Sequence, residues 1–400
     1  MSTSQDPVVI VSAARTPMGS FQGDFATLSA HDLGGAAIKA AVERAAAGSK
    51  FSAELVTEVL FGNCLMAGQG QAPARQAGFK GGLPKSAGAV TLSKMCGSGM
   101  RAAMFAHDML LAGSHDVLVA GGMESMTNAP YLMLKGRSGY RMGHDKIYDH
   151  MMLDGLEDAY EAGRSMGTFG EDCAAKYNFT RAEQDAFAMA SVERAKAATT
   201  SGAFQAEITP VTVKTRAGET VVSIDEGPGK VKLDKVTSLK PAFKKDGTIT
   251  AASSSSINDG AAALVMMRQS TADKLGCKAL ARIVSHATHA QEPEWFATAP
   301  VGATQKALAK AGWQIGDVDL WEVNEAFAVV PMALMKELNV PHDKVNVNGG
   351  ACALGHPIGA SGARIMVTLI HALKARGLKK GLSTLCIGGG EGTAVALEII

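Results

Sequence analysis

The feature that most constrains this chain is a repeat. VVIVSAARTP at residues 8–17 returns as LARIVSHATHA at 280–290, VTEVLFGN at 56–63 as VDLWEVNE at 318–325, and DVLVAGGMES at 116–125 as STLCIGGGEG at 383–392. The order is kept, the offset stays at about 260 to 270 residues, and it also relates CGSGMRAA at 96–103 to GHPIGASGARI at 355–365. Self-similarity at a fixed offset reads as two copies of one unit. The competing reading is chance likeness among Gly-rich strand ends. Each copy holds short Val- and Ile-rich runs (8–11, 117–120, 264–267, 318–323, 384–387) between helix-length stretches, the pattern of an α/β sheet with parallel strands.

A chain of 400 residues is long enough for such a duplication. Hydrophobic residues at 46% against 19% charged exclude a disordered chain, and 39 basic against 38 acidic residues leave a charge of +1. No global field therefore draws in nucleic acid or an anionic membrane, and an anionic ligand has to be held locally. The longest apolar runs, such as Phe327 to Met335, reach about half of the ~20 residues of a membrane span, so no membrane partner is expected. MSTSQDPVVIVSAARTP has no signal-like segment, and the six cysteines at 64, 96, 173, 277, 352 and 386 lack CxxC spacing. Reduced thiols in a cytoplasmic protein are expected.

Between the copies, residues 126–250 read as a loop-rich insertion with one helix, Arg181 to Lys196, capped by Thr180 and Glu183. The serine run Ser253 to Ser256 then leads into INDGAAALVMM and is a candidate binding loop.

Four segments could carry chemistry. In SKMCGSGMRAAMFAHDMLLAG, Met100, Met104 and Leu111 share a helix face, which puts Cys96 at a helix start where the dipole favours a thiolate; a buried inert thiol is the alternative. His356, before Pro357 in GHPIGASGAR, is either a structural loop histidine or, if folding brings it to Cys96, the base that activates the thiol. Cys386 ends a strand before three glycines whose N–H groups could meet an oxyanion, although strand cysteines are mostly core. Asn324 and Glu325 follow an apolar strand at the end where open α/β sheets bind ligands, or Asn324 is a plain N-cap; Pro331 puts the next helix start near 330 or kinks it. No Walker, GxGxxG, HExxH or GxSxG motif occurs, and no metal site can be built from these spacings.

Together SKMCGSGM, GGMESM, NEAFA, GHPIGASGAR and CIGGGEG resemble the thiolase family over nearly the whole chain. The resemblance implies a duplicated five-layered α/β/α/β/α fold. Its N-terminal half would be residues 1–125 plus 251–278, its C-terminal half 279–400, and the inserted loop domain 126–250 would serve CoA binding and tetramerisation. It implies acyl transfer between coenzyme A thioesters by a homotetramer, with acyl-CoA and CoA as substrate and product and with no cofactor or metal. By motif position, Cys96 would hold the acyl group, His356 take its proton and Cys386 act on the α-carbon. Asn324, through a water, and His356 would hold the enolate, while the N–H groups of Cys96 and Gly388 form the oxyanion hole. Ser255, Met166, Phe243, Lys230 and Lys235 would hold CoA.

Several positions depart from the usual pattern. The loop commonly reading TAGNASGxNDG is TAASSSSINDG at 250–260, with Ser255 still at the contact position; Arg164-Ser165-Met166 replaces a His-Met, and Phe296 stands where short-chain members often carry Met. The reaction this points to equilibrates two acetyl-CoA with acetoacetyl-CoA and CoA. A degradative 3-ketoacyl-CoA thiolase of broader chain length, a carrier-protein ketoacyl synthase and a non-catalytic acyl-CoA-binding protein are the rivals. The presence of both cysteines and the histidine opposes the last.

Overall fold

The computed structural model describes residues 6–216 and 218–400. Strands β1 (Val8–Arg15), β2 (Glu58–Gly62), β3 (Gly88–Leu92), β4 (Val117–Ser125) and β5 (Asn258–Arg268) form one half-sheet in the order β3-β2-β4-β5-β1. Strands β6 (Ala281–Ala290), β7 (Leu320–Val323), β8 (Lys380–Ile387) and β9 (Glu391–Ile399) form the other in the order β7-β8-β9-β6. A short antiparallel contact, Val9 opposite Arg282 and Ile10 opposite Ala281, joins β1 to β6.

The duplication read from the sequence is present strand by strand. Pairs β2–β4 and β7–β8 are parallel, β4–β5 and β8–β9 antiparallel, and β5–β1 and β9–β6 antiparallel. Even the edge is echoed: β3 runs parallel to β2, and a parallel bridge from Trp321 to Val345 stands at the matching edge of β7. The expectation of parallel strands is corrected, since most pairs are antiparallel. A strand covered on both faces reads as a continuous apolar run whichever way its neighbour points, so burial concealed the sense.

Helices α1 (Ala30–Ala46) and α2 (Pro73–Lys80) cover the outer face of the first half-sheet, and α6 (Ala299–Ala311) with α7 (Val329–Leu338) cover that of the second. Helices α3 (Ser98–Leu111) and α8 (Ile358–Ala375) pack on each other between the half-sheets, giving the five layers. Along β1, Val8 and Ile10 enter the central core while Val9 and Val11 enter the outer one, the period of two that a doubly covered strand requires. Helix α7 begins at Val329, so Pro331 sits in its first turn, where its missing N–H costs nothing.

The insertion is more ordered than expected. Helix α5 (Arg181–Ser201) has the predicted Thr180–Glu183 capping box but runs past Lys196 to an αL Gly202, and α4 (Met166–Tyr177) is a second long helix. A hairpin of Val211–Thr215 with Gly218–Val222 follows. The insertion is locked to the first half by a buried guanidinium: Arg15 meets Glu207 at 2.5 Å and Asp225 at 2.6 Å, all fully buried side chains. Leaving any one of these charges unpaired would be strongly destabilising.

Two glycines set the depth of the central layer. A Cβ on Gly122 of β4 would lie 2.0 Å from the Gly359 carbonyl oxygen in α8, and one on Gly359 would lie 2.7 Å from the Met123 carbonyl oxygen. Backbone therefore touches backbone where the start of α8 meets the end of β4.

Candidate active site

Four loops meet at the starts of the two central helices. The serine run is held against the NEAFA segment: Ser255 N–H donates to Ala326 O at 2.9 Å and Ala328 N–H to Ser253 O at 2.8 Å. His356 N–H donates to Ser256 O at 3.2 Å. The fourth loop carries Cys96. There Met95 adopts a left-handed φ of 45°, and Ser98 ties the turn by donating to Met95 O at 2.6 Å and accepting Lys94 N–H at 2.8 Å. A non-glycine residue held at positive φ stores about 1–2 kcal/mol of strain next to the thiol it presents.

The resulting pocket is apolar and is lined by Cys96, His356, Ser255, Met166, Phe296, Phe327, Leu156, Ile358 and the Gly388 backbone, among others. Its aromatic wall is Phe296 set edge-on to Phe327, with centroids 6.4 Å apart; Phe243 is not in the lining but packs edge-on against Phe327, at 5.7 Å. Met166 lies against Gly388, where an added Cβ would come 3.6 Å from the Met166 methyl. Cys386, fully buried at the end of β8, is close enough to Cys96 for a charge on Cys96 to raise its pKa.

Polar groups in this region are left open. His356 Nδ1 lies 2.6 Å from Ser361 Oγ, whose single proton is donated to Pro357 O at 2.9 Å. The hydroxyl therefore accepts the Nδ1 proton, and Nε2, buried and unpaired, carries the lone pair. Both side-chain atoms of buried Asn324 likewise lack protein partners. Buried polar atoms are nearly always satisfied, so these await a ligand or water. Glu325, beside Asn324, is fully used: it accepts from Ser191 Oγ at 2.7 Å, Asn346 Nδ2 at 2.7 Å and Cys352 N–H at 2.9 Å.

The expected electrostatics of Cys96 are corrected. Helix α3 starts at Ser98, two residues beyond the thiol, and burial pushes Cys96 up to about 11 despite the lowering hydrogen bonds from the backbone of Gly388 and its own. Burial lowers His356 to about 3, with Arg364 adding to the effect. The resting pair is a neutral thiol and a neutral imidazole. Burial also raises Cys386 well above the ordinary range.

Sequence reading missed Glu124, within GGMES. This buried carboxylate accepts from Asn63 Nδ2 at 2.6 Å and from the N–H groups of Cys64 at 2.9 Å, Leu65 at 3.1 Å and Gly359 at 2.8 Å, pinning the start of α8. An acidic residue at the end of an all-buried strand was the available signal. Ser361 and the pocket-lining Leu156 and Phe327 were missed as well. Lys230 and Lys235 are not brought to the pocket lining; they are exposed, near Glu226 and Asp234. A wider hollow beneath Thr199, Phe204 and Ile224 has Gln205 and Ser223 in its lining, and its one charged group, the Asp225 carboxylate, is paired with Arg15.

A duplicated five-layer α/β fold with a thiol and a histidine just before the central helix starts and a second thiol at the end of β8 defines an acyl-transfer class of enzyme, and the comparisons agree. The chain matches the thiolase N-terminal domain over residues 8–270 and the thiolase C-terminal domain over 277–399. It belongs to the thiolase family. It is 51% identical to the acetyl-CoA acetyltransferase of Escherichia coli over 392 residues, 98% of each chain. It is 50% identical to that of Chromobacterium violaceum over 393 residues, covering 98% of this chain and 99% of the relative. Among solved structures, the Bacillus anthracis acetyl-CoA acetyltransferase superposes with a TM-score of 0.95 at 40% identity, covering 100% of both chains. The Ascaris suum Acat5 thiolase in complex with coenzyme A gives 0.92 at 40% identity, covering 98% of this chain and 100% of that one.

Proposed function

We propose that the chain is an acetyl-CoA acetyltransferase that joins two acetyl-CoA into acetoacetyl-CoA and CoA. The observation that carries this reading is the unpaired Nε2 of His356 in the same apolar pocket as Cys96, with a second thiol, Cys386, nearby. Cys96 Sγ attacks the thioester carbonyl while its proton moves to His356 Nε2, and CoA leaves as the thiol by taking that proton back. Because Cys96 rests as a thiol, transfer to the imidazole accompanies attack rather than preceding it. The acyl oxyanion is held by the N–H groups of Cys96 and Gly388.

In the second half, Cys386 loses its proton to the neutral imidazole and takes the α-proton of the incoming acetyl-CoA. Burial makes its thiolate a strong base, which a weakly acidic carbon requires. The enolate oxygen lies between His356 Nε2–H and a water on Asn324. Its carbon attacks the acyl-enzyme, and Cys96 departs as a thiolate that the imidazolium reprotonates. Ser255, Met166 and Phe243 flank the pantetheine arm, and Lys230 and Lys235 meet the phosphates as point charges. CoA is substrate and product, and no further cofactor is needed.

The aromatic wall of Phe296 and Phe327, with Phe243 packed against Phe327, supports a short acyl group. Thiolysis rates on acetoacetyl-CoA, 3-ketohexanoyl-CoA and 3-ketodecanoyl-CoA test this: activity confined to the first is expected, and equal rates on all three would favour the broad-range degradative reading. A cytoplasmic homotetramer completes the proposal. Six free cysteines are consistent with the compartment, and Met133, Leu134, Met142 and Ile147, all exposed within the insertion, are consistent with burial against other subunits. Sedimentation analysis reads the subunit number.

A further inference from the structure

Away from the acyl pocket, the fold brings together three side chains that the sequence keeps far apart. His107 and Asp108 stand next to each other on α3, and His286 lies on β6 of the other half, 178 positions beyond Asp108. His286 Nε2 is 2.8 Å from Asp108 Oδ1 and 3.2 Å from His107 Nδ1, and those two atoms are 3.2 Å apart. The two imidazoles meet edge to face, with ring planes at 89°. The histidine side chains are only 12% and 13% exposed, whereas Asp108 is 53% exposed and opens the cluster to solvent.

We propose that His107, Asp108 and His286 form a binding site for a divalent transition-metal ion of the zinc, cobalt or nickel class. With bonds of about 2.1 Å, neighbouring donors lie about 3.0 Å apart around an octahedral ion and about 3.4 Å apart around a tetrahedral one. The observed triangle of 2.8, 3.2 and 3.2 Å lies within about 0.2 Å of one octahedral face and is tighter than a tetrahedral one. Two imidazole nitrogens with a single carboxylate select against magnesium and calcium, which prefer oxygen donors. The three protein donors occupy one side of the ion and leave the solvent side to water.

The site is not catalytic. His107 is eleven residues along from Cys96, mostly along α3, which is about 16 Å at the rise of a helix. Its consequence is mechanical: an ion there would clamp the helix that follows Cys96 to a strand of the opposite half, adding a tie that exists only in the folded chain.

The test uses chelator-treated whole enzyme titrated with zinc by calorimetry and with cobalt by visible absorption. The expected result is one ion per chain at this site, a raised melting temperature, and a cobalt spectrum with ligand-field bands but without the intense thiolate charge transfer that Cys96 or Cys386 would give. His286→Gln and Asp108→Asn should each weaken binding at least ~10-fold, since losing even a partner of a ligand costs about 10- to 100-fold. Circular dichroism and turnover without metal should match the parent, which separates lost ligation from lost folding. No bound ion, a thiolate cobalt spectrum alone, or equal affinity in parent and both variants would overturn the proposal and leave the cluster a hydrogen-bonded group.

Discussion

Ser361 holds the Nδ1 side of His356 at 2.6 Å from one turn along the same chain segment, and so decides which nitrogen of the imidazole faces the pocket. Ser361→Ala removes the acceptor that fixes the tautomer. The expected result is a fall in kcat of about tenfold, the equivalent of one hydrogen bond, with KM for acetyl-CoA nearly unchanged. Ser361→Thr should restore most of the rate, because the hydroxyl is what matters. An alanine variant with parent kcat would mean that the tautomer is fixed by other contacts.

The two thiols should separate by step. Cys386→Ser places a far weaker acid at the α-carbon, so exchange of acetyl-CoA methyl protons with deuterated water should fall ~100- to 10,000-fold while acetylation of Cys96 remains visible by mass spectrometry. Cys96→Ser should lose both acetylation and turnover. Exchange at the parent rate in Cys386→Ser would remove Cys386 as the base. Asn324 with a water would then be next in line, since all the contacts around Glu325 are structural.

Protonation of His356 should act on stability as well as on rate. Burial lowers it from 6.5 to about 3, so between these values the unfolded chain binds a proton that the folded chain refuses. Stability from this group is therefore complete above pH 6.5 and is lost as pH falls toward 3. Between pH 7.5 and 4.5 the parent should lose about 3 kcal/mol more than His356→Asn, measured by urea unfolding at each pH. Equal losses would show that the imidazole is hydrated in the folded enzyme.

The close approach of α8 to β4 leaves no room for a methyl group. Gly122→Ala would drive a carbon into the Gly359 carbonyl, 2.0 Å away, where only backbone can yield. A stability loss at or above the ~1–3 kcal/mol usual for overpacking is expected, together with loss of turnover, because His356 is carried on the same segment. Calorimetric melting reads the first effect and acetoacetyl-CoA thiolysis the second. A variant that melts and turns over like the parent would show that the layer can spread without cost.

Much of this molecule is legible in its residues. The repeat at 8–17 and 280–290 foretold the matching strands β1 and β6; Thr180 and Glu183 marked the start of α5; and Pro331 left a helix beginning near 330 or one kinked there, of which the fold takes the first. These features are local, depending on backbone geometry and side-chain period within a few residues of chain. Cys96 and His356 could be named from their motifs, but not the charge state of the pair. A helix start argues for a thiolate, yet burial contributed by the packing of distant loops outweighs it and raises Cys96 to about 11. The strand senses, the anchoring of α8 by Glu124 and the meeting of His107 with His286 were likewise decided only by the tertiary fold. Each depends on which residues from remote parts of the chain exclude water together, and desolvation is a property of that assembly rather than of any one segment.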